Sequence, residues 1–177
     1  MIFFLQILTV VLVVYLVLVF VILRLVVPFL GFGQYRPKVE LPSEIKEVVR
    51  NLENSVKTEQ EYLQAVFNIV MEKNNTQWQH TRFQAAFKIP RLFVSDLKEI
   101  WETKQFVYCT AINFAVYALL VGGKYFKPED IRVRHTFVNM VIHQYLQVKV
   151  QGLWVDVDPA GTGIRGKPLG THLSFFG

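Results

Sequence analysis

The chain has 177 residues, 52% of them hydrophobic, with 19 Lys+Arg against 14 Asp+Glu and a net charge of +5. The hydrophobic share is uneven: from Met1 to Leu23 only Gln6 and Thr9 fall outside the hydrophobic set, and every charged residue lies at or after Arg24. Without residues 1–33 the share drops to roughly 45%, ordinary for a globular domain; with one cysteine, this excludes a multi-span membrane protein, a disordered chain and a disulfide scaffold.

The uncharged stretch predicts one membrane-spanning helix within residues 1–27. At a rise of ~1.5 Å per residue it reaches across a hydrocarbon core of ~30 Å, and its Val, Leu and Ile leave no polar face. It has no basic n-region, short apolar core or small-residue cut site, so a retained anchor is expected over a cleaved signal. Arg24, Arg36 and Lys38 on the C-terminal flank predict a cytoplasmic domain. In that compartment Cys109 stays a free thiol and the Asn74-Asn75-Thr76 sequon is silent. Pro28, Gly31, Gly33 and Pro37 mark residues 28–39 as a linker, and one domain is expected over residues 40–177. The expected partner of this segment is the lipid bilayer. Nucleic acid is not expected, because the cations beyond the membrane flank alternate with Glu and Asp instead of forming a stripe.

In the domain, Ser43–Asn54 and Thr58–Lys73 read as amphipathic helices. The second opens with a Thr58-x-x-Glu61 capping box and carries Tyr62, Val66, Ile69 and Val70 on its apolar face. Asn74–Gln79 reads as a polar loop holding Trp78, and Ile89-Pro90 ends the Phe83–Phe87 segment. A third helix is expected after Ser95, with Leu97, Ile100 and Trp101 inward. Thr110–Val121 is apolar on all sides, so it predicts a helix wrapped by other protein, with Cys109 at its N-terminal end and Gly122-Gly123 closing it. The period then changes to two over Ile131–Val138, Ile142–Val150 and Leu153–Asp158. Helices followed by strands indicate an α+β domain, with an antiparallel sheet packed on the central helix.

A two-residue turn at Gln151-Gly152 fixes the register, with Val150 opposite Leu153. Leu146, Val148, Val150, Leu153, Val155 and Val157 then share the dry face. His143, Tyr145 and Gln147 share the other with Trp154, Asp156 and Asp158. Asp158 stands diagonal to His143, close enough for a carboxylate to meet an imidazole, whereas Asp156 is further away. A thiol at a helix N-terminus is biased toward thiolate, and a nearby imidazole would bias it further. The predicted roles are Cys109 as nucleophile, His143 as general base and then acid, and Asp158 as the group that orients His143. His135 competes as the base but has no strand-end Asp in register with it.

The motifs Tyr108-Cys109-Thr110 with its apolar helix, the strand opening at His143, and Gly152-Leu-Trp154-Val-Asp-Val-Asp158-Pro159 resemble the core of the transglutaminase-like superfamily. That resemblance implies a papain-like fold with a central Cys-bearing helix and a Cys109-His143-Asp158 triad. It also implies amide chemistry on a protein or peptide substrate near the membrane through an acyl-enzyme, by hydrolysis or by transamidation. An upstream Trp or Gln would polarise the carbonyl in such a site, which makes Trp78 and Gln105 the oxyanion candidates. The sequence departs from the family pattern at Val107, where many members carry Gly. The alternative is a catalytically inactive member acting as a binding or scaffold module at the membrane.

No cofactor or metal is expected, since His80, His135, His143 and His172 are scattered about one cysteine. Gly161-Thr-Gly163-Ile-Arg-Gly166 matches a dinucleotide pattern, but Pro168 and the short remainder leave no room for a βαβ unit, so it reads as a tail loop.

Overall fold

The structure, a computed structural model, describes residues 2–30, 39–76, 78, 87–138, 141–160 and 168–174. The N-terminal apolar stretch is helical but divided: α1 (Ile2–Val17) passes into a π turn (Leu18–Ile22) and then into α2 (Leu23–Val26). Among the described residues no helix is long and apolar enough to cross a membrane, so the expected single uninterrupted span is not found in that form. The break falls in a run of β-branched and aromatic residues, which crowd the preceding turn and weaken α-propensity. The backbone nevertheless stays right-handed across both junctions, with Val17 at φ −62°, ψ −45° and Leu23 at φ −60°, ψ −35°. Every described side chain from Phe3 to Leu18 is exposed.

After α2 the chain folds back onto the domain. Val27 and Leu30 are buried, and the Phe29 ring stacks on Phe114 at a centroid distance of 4.0 Å. Phe29 has φ 62°, a left-handed conformation that costs a bulky residue of order 1–3 kcal/mol and persists only where neighbours over-determine it. Here the stacked ring and a hydrogen bond from Gln144 Nε2 to the Phe29 carbonyl, at 2.6 Å, hold it. The first residues of the expected linker thus lie against the domain; residues 31–38 lie outside the described residues.

Helix α3 (Ser43–Ser55) turns Ile45 and Val49 inward. Helix α4 (Glu59–Thr76) opens with Thr58 Oγ1 accepting from the Glu61 N–H, while Glu61 Oε2 accepts from the Lys57 N–H at 2.7 Å. The capping box is therefore present with its return bond shifted by one residue. Tyr62, Leu63, Val66, Phe67 and Val70 form the buried face, and Ile69 is half-buried beside it. The expected polar loop is corrected at its start. Asn74–Thr76 belong to the helix, which the Asn74 side chain extends by donating to the Pro159 carbonyl at 3.0 Å. Trp78 is buried in the core. Of the next expected segment, residues 83–86 lie outside the described residues.

A 3-10 turn (Ile89–Phe93) leads to α5 (Leu97–Glu102), capped by the Asp96 carboxylate accepting from the Glu99 N–H at 2.6 Å. Its Leu97, Ile100 and Trp101 are buried as expected. Helix α6 (Cys109–Gly122) is buried at every position from Thr110 to Leu120, packed by α3, α4, α5 and the second strand. Wrapping on all sides is what its uniformly apolar sequence requires.

The sheet has the order β1 (Ile131–Val138), β2 (Val141–Val150), β3 (Leu153–Val157), antiparallel throughout. Val150 pairs with Leu153, Val148 with Val155 and Leu146 with Val157, the register expected from the turn. Gln151 at φ 49° and Gly152 at φ 85° both take the left-handed conformations of a type I′ hairpin, whose twist matches that of the strands. Ile131, Leu146, Val148 and Val157 are buried on the face toward α6, and the domain is α+β.

Candidate active site

Cys109 is the first residue of α6, capped by Tyr108, and its free thiol is half-buried. Extended Tyr108, at φ −75° and ψ 156°, brings the chain in so that the helix begins at the sulfur. His143 lies near the start of β2 and faces away from the dry side of the sheet. Asp158 follows the last residue of β3 and is fully buried. Both carboxylate oxygens lie within hydrogen-bond reach of His143 Nε2, at 2.8 and 3.0 Å. With Nε2 held by Asp158, Nδ1 is the nitrogen left to serve the Cys109 thiol, whose pKa His143 lowers.

The electrostatics of the three groups agree in sign. Burial pushes the Cys109 thiol up, but the His143 hydrogen bond, the His143 charge and the Gln144 backbone N–H together outweigh it, and the thiol ends below its ordinary value. Burial pushes His143 down, while the Asp158 hydrogen bond and then the Cys109 contact push it up to about 10. A depressed thiol beside an elevated imidazole favours the thiolate–imidazolium form of the pair.

Of the two oxyanion candidates, Trp78 is buried and its Nε1–H has no hydrogen-bond partner among the described residues. Gln105 is exposed, with its backbone N–H donating to Thr103 Oγ1 at 3.2 Å. His135 is half-buried, its pKa lowered to about 4 by burial, then by the charges of Arg24 and His143. It pairs across the strands with Gln144 and turns to the α6 side of the sheet, so it is held neutral. Val107, two residues before Cys109, is a buried core residue.

Three supports were not foreseen from the sequence. The Leu173 backbone N–H donates to Asp158 Oδ2 at 2.9 Å, so the tail returns to hold the carboxylate. Asn113 Nδ2 on α6 donates to the Gln144 carbonyl at 2.8 Å and to Gln144 Oε1 at 3.3 Å, fixing the residue next to His143. Asp156 is tied to Gln147 at 2.6 Å and to His172 at 2.7 Å, and the His172 ring stacks on Tyr145. The alternation of a strand would have put Gln144 on the α6 side; nothing local announces the tail contact. The Gly161–Gly166 motif lies outside the described residues.

A cavity of about 530 Å³ lies along β1, lined by residues 131–135 with Glu129 and Trp154; neither Cys109 nor His143 lines it.

No family model matches the sequence, and no curated protein matches it. Among solved structures, a crystal structure of a TGase is similar at 16% identity over 74% of this chain and 36% of that chain, with a TM-score of 0.44. The present chain spans about a third of the length of that protein.

Proposed function

We propose that this chain is a membrane-anchored, transglutaminase-like cysteine enzyme that acts on amide bonds through Cys109, His143 and Asp158. The observation that carries the reading is the His143 imidazole held at 2.8 Å by the buried Asp158 carboxylate, with the Cys109 thiol, lowered by His143, at the N-terminus of α6. The Cys109 thiolate adds to the amide carbonyl, forming the C–S bond as the carbonyl π electrons move to oxygen. The Cys109 backbone N–H and the unpartnered Trp78 Nε1–H are the donors offered to that oxyanion. Collapse expels the amine, protonated by the His143 imidazolium, and leaves a thioester. His143, neutral again, takes the proton from water or from an acceptor amine as it attacks the thioester, and the sulfur leaves as thiolate. Asp158 holds Nε2 throughout, so that Nδ1 stays aimed at sulfur.

The helical backbone running from Ile2 to Val26 without leaving the right-handed region, with the side chains from Phe3 to Leu18 exposed, supports the anchor. Arg24 at its end supports a domain facing the cytoplasm. The alternative, an inactive binding module, has in its favour that the cavity along β1 does not include the thiol.

The test is covalent capture. The full chain in detergent, mixed with a peptide bearing an activated glutamine ester, should form a thioester at Cys109 visible by intact mass. The thioester should then decay to water or to an added primary amine, and neither Cys109→Ser nor His143→Ala should form it. No adduct on the native chain while the domain is folded would leave the binding-module reading.

A further inference from the structure

The face of the sheet that carries His143 also carries a pair of arginines that the proposed chemistry does not use. Arg132 and Arg134 project from β1 on that face, opposite Gln147 and Tyr145. Arg132 Nε and Arg134 Nε both donate to the same atom, Gln147 Oε1, at 2.9 and 3.0 Å. Gln147 is fixed in turn by Asp156, which accepts from its amide nitrogen at 2.6 Å. The Arg132 guanidinium lies 3.8 Å from the Trp154 ring centroid. Two like charges are therefore held side by side, with the terminal nitrogens of both guanidiniums unused among the described residues. Such forks suit carboxylates.

The cavity beside them is lined by five consecutive residues, 131–135. Consecutive residues point to opposite faces, so one cavity meets them all only along the open edge of the strand. β1 pairs with β2 and with no other described strand. The same strand leads to the thiol, because Thr136 pairs with His143. Arg134 and Arg132 follow at one and two strand repeats of ~6.6–6.8 Å.

Resting on the amide chemistry proposed above, we infer that β1 binds an acidic segment of the substrate protein as an added strand. Arg134 and Arg132 receive carboxylates two and four residues from the attacked amide. Main-chain pairing along the open edge supplies affinity, and alternate side chains supply selection.

The test is binding, independent of turnover. The full chain in zwitterionic nanodiscs is titrated with a fluorescein-labelled decapeptide bearing glutamates at alternate positions, and with its glutamine counterpart. The glutamate peptide should bind about tenfold more tightly, with a preference that falls as salt rises. Arg132→Gln with Arg134→Gln should remove the preference, and Arg132→Glu with Arg134→Glu should transfer it to a lysine-bearing peptide. Equal binding of the two peptides, or an unchanged preference in the double glutamine variant, would overturn the inference. So would tighter binding of glycerophosphoglycerol at the same arginines, in favour of a headgroup. A retained glutamate preference on a chain whose thiol forms no thioester would sink the enzyme reading and leave the acidic docking strip standing.

Discussion

At Cys109 the directions of the two shifts set a pH window. The thiol is lowered, so thiolate persists below the usual thiol range, and His143 is raised, so imidazolium persists up to about 10. Alkylation by iodoacetamide should therefore rise with pH at an apparent value below the ~8.5 of a free thiol. His143→Ala should move that value upward and slow the neutral-pH rate about tenfold. An ordinary thiol profile unaffected by His143→Ala would falsify the pairing. Asp158→Asn removes the charge that raises His143 and misaligns one acceptor with the Leu173 N–H; it should shift the thiol upward too and cost roughly 1–3 kcal/mol in urea unfolding. Trp78 separates structure from chemistry. Trp78→Phe keeps most of the buried volume and deletes an unpartnered N–H, so stability should change by less than about 1 kcal/mol while thioester formation slows by about 100-fold. A kinetic change no larger than about threefold would exclude Trp78 as an oxyanion donor.

At the scale of elements, the β2–β3 turn and the end of α6 are the exacting places. Gly152 has φ 85° with open space around its Cα, so Gly152→Val meets only backbone strain and should lower stability by roughly 1–2 kcal/mol. At Gly123 the obstacle is steric. A Cβ there would lie 2.8 Å from Tyr62 Cζ, and that ring cannot yield because its hydroxyl donates to the Leu119 carbonyl at 2.8 Å. Gly123→Ala should cost about 1–3 kcal/mol in thermal unfolding, and Tyr62→Phe alone should cost about 1 kcal/mol by orphaning that carbonyl. Much of this scale was legible in the sequence. The strand register follows from turn length and a period of two, and the burial of α6 from its lack of any polar face. The end of α4 was not legible: Asn74 and Asn75 look like loop residues, and only the Pro159 carbonyl, far away in the chain, turns Asn74 into a buried helical donor.

Across the whole molecule, the segment after the N-terminal helices meets α6 at Phe29. Its ring stacks on Phe114 of α6, and its carbonyl receives Gln144, the residue after His143. A fragment beginning at Val27 should keep these contacts and unfold near the full chain. One beginning at Val39 loses Val27, Phe29 and Leu30 from the core and should be less stable by about 2–5 kcal/mol. The full chain should resist carbonate extraction from membranes, whereas the fragment beginning at Val27 should be released; release of both would remove the anchor.

The sequence by itself determined the composition split, the α+β order, the strand register and the diagonal placement of Asp158 near His143, because these depend on short-range periodicity and turn geometry. Tertiary structure decided the rest: the π turn within the apolar stretch, the burial of Trp78, the tail's return to Asp158, and the two arginines converging on Gln147. Each joins residues distant in the chain, or sets a backbone choice against a weak local preference, and such energies exist only once the core has brought the partners together.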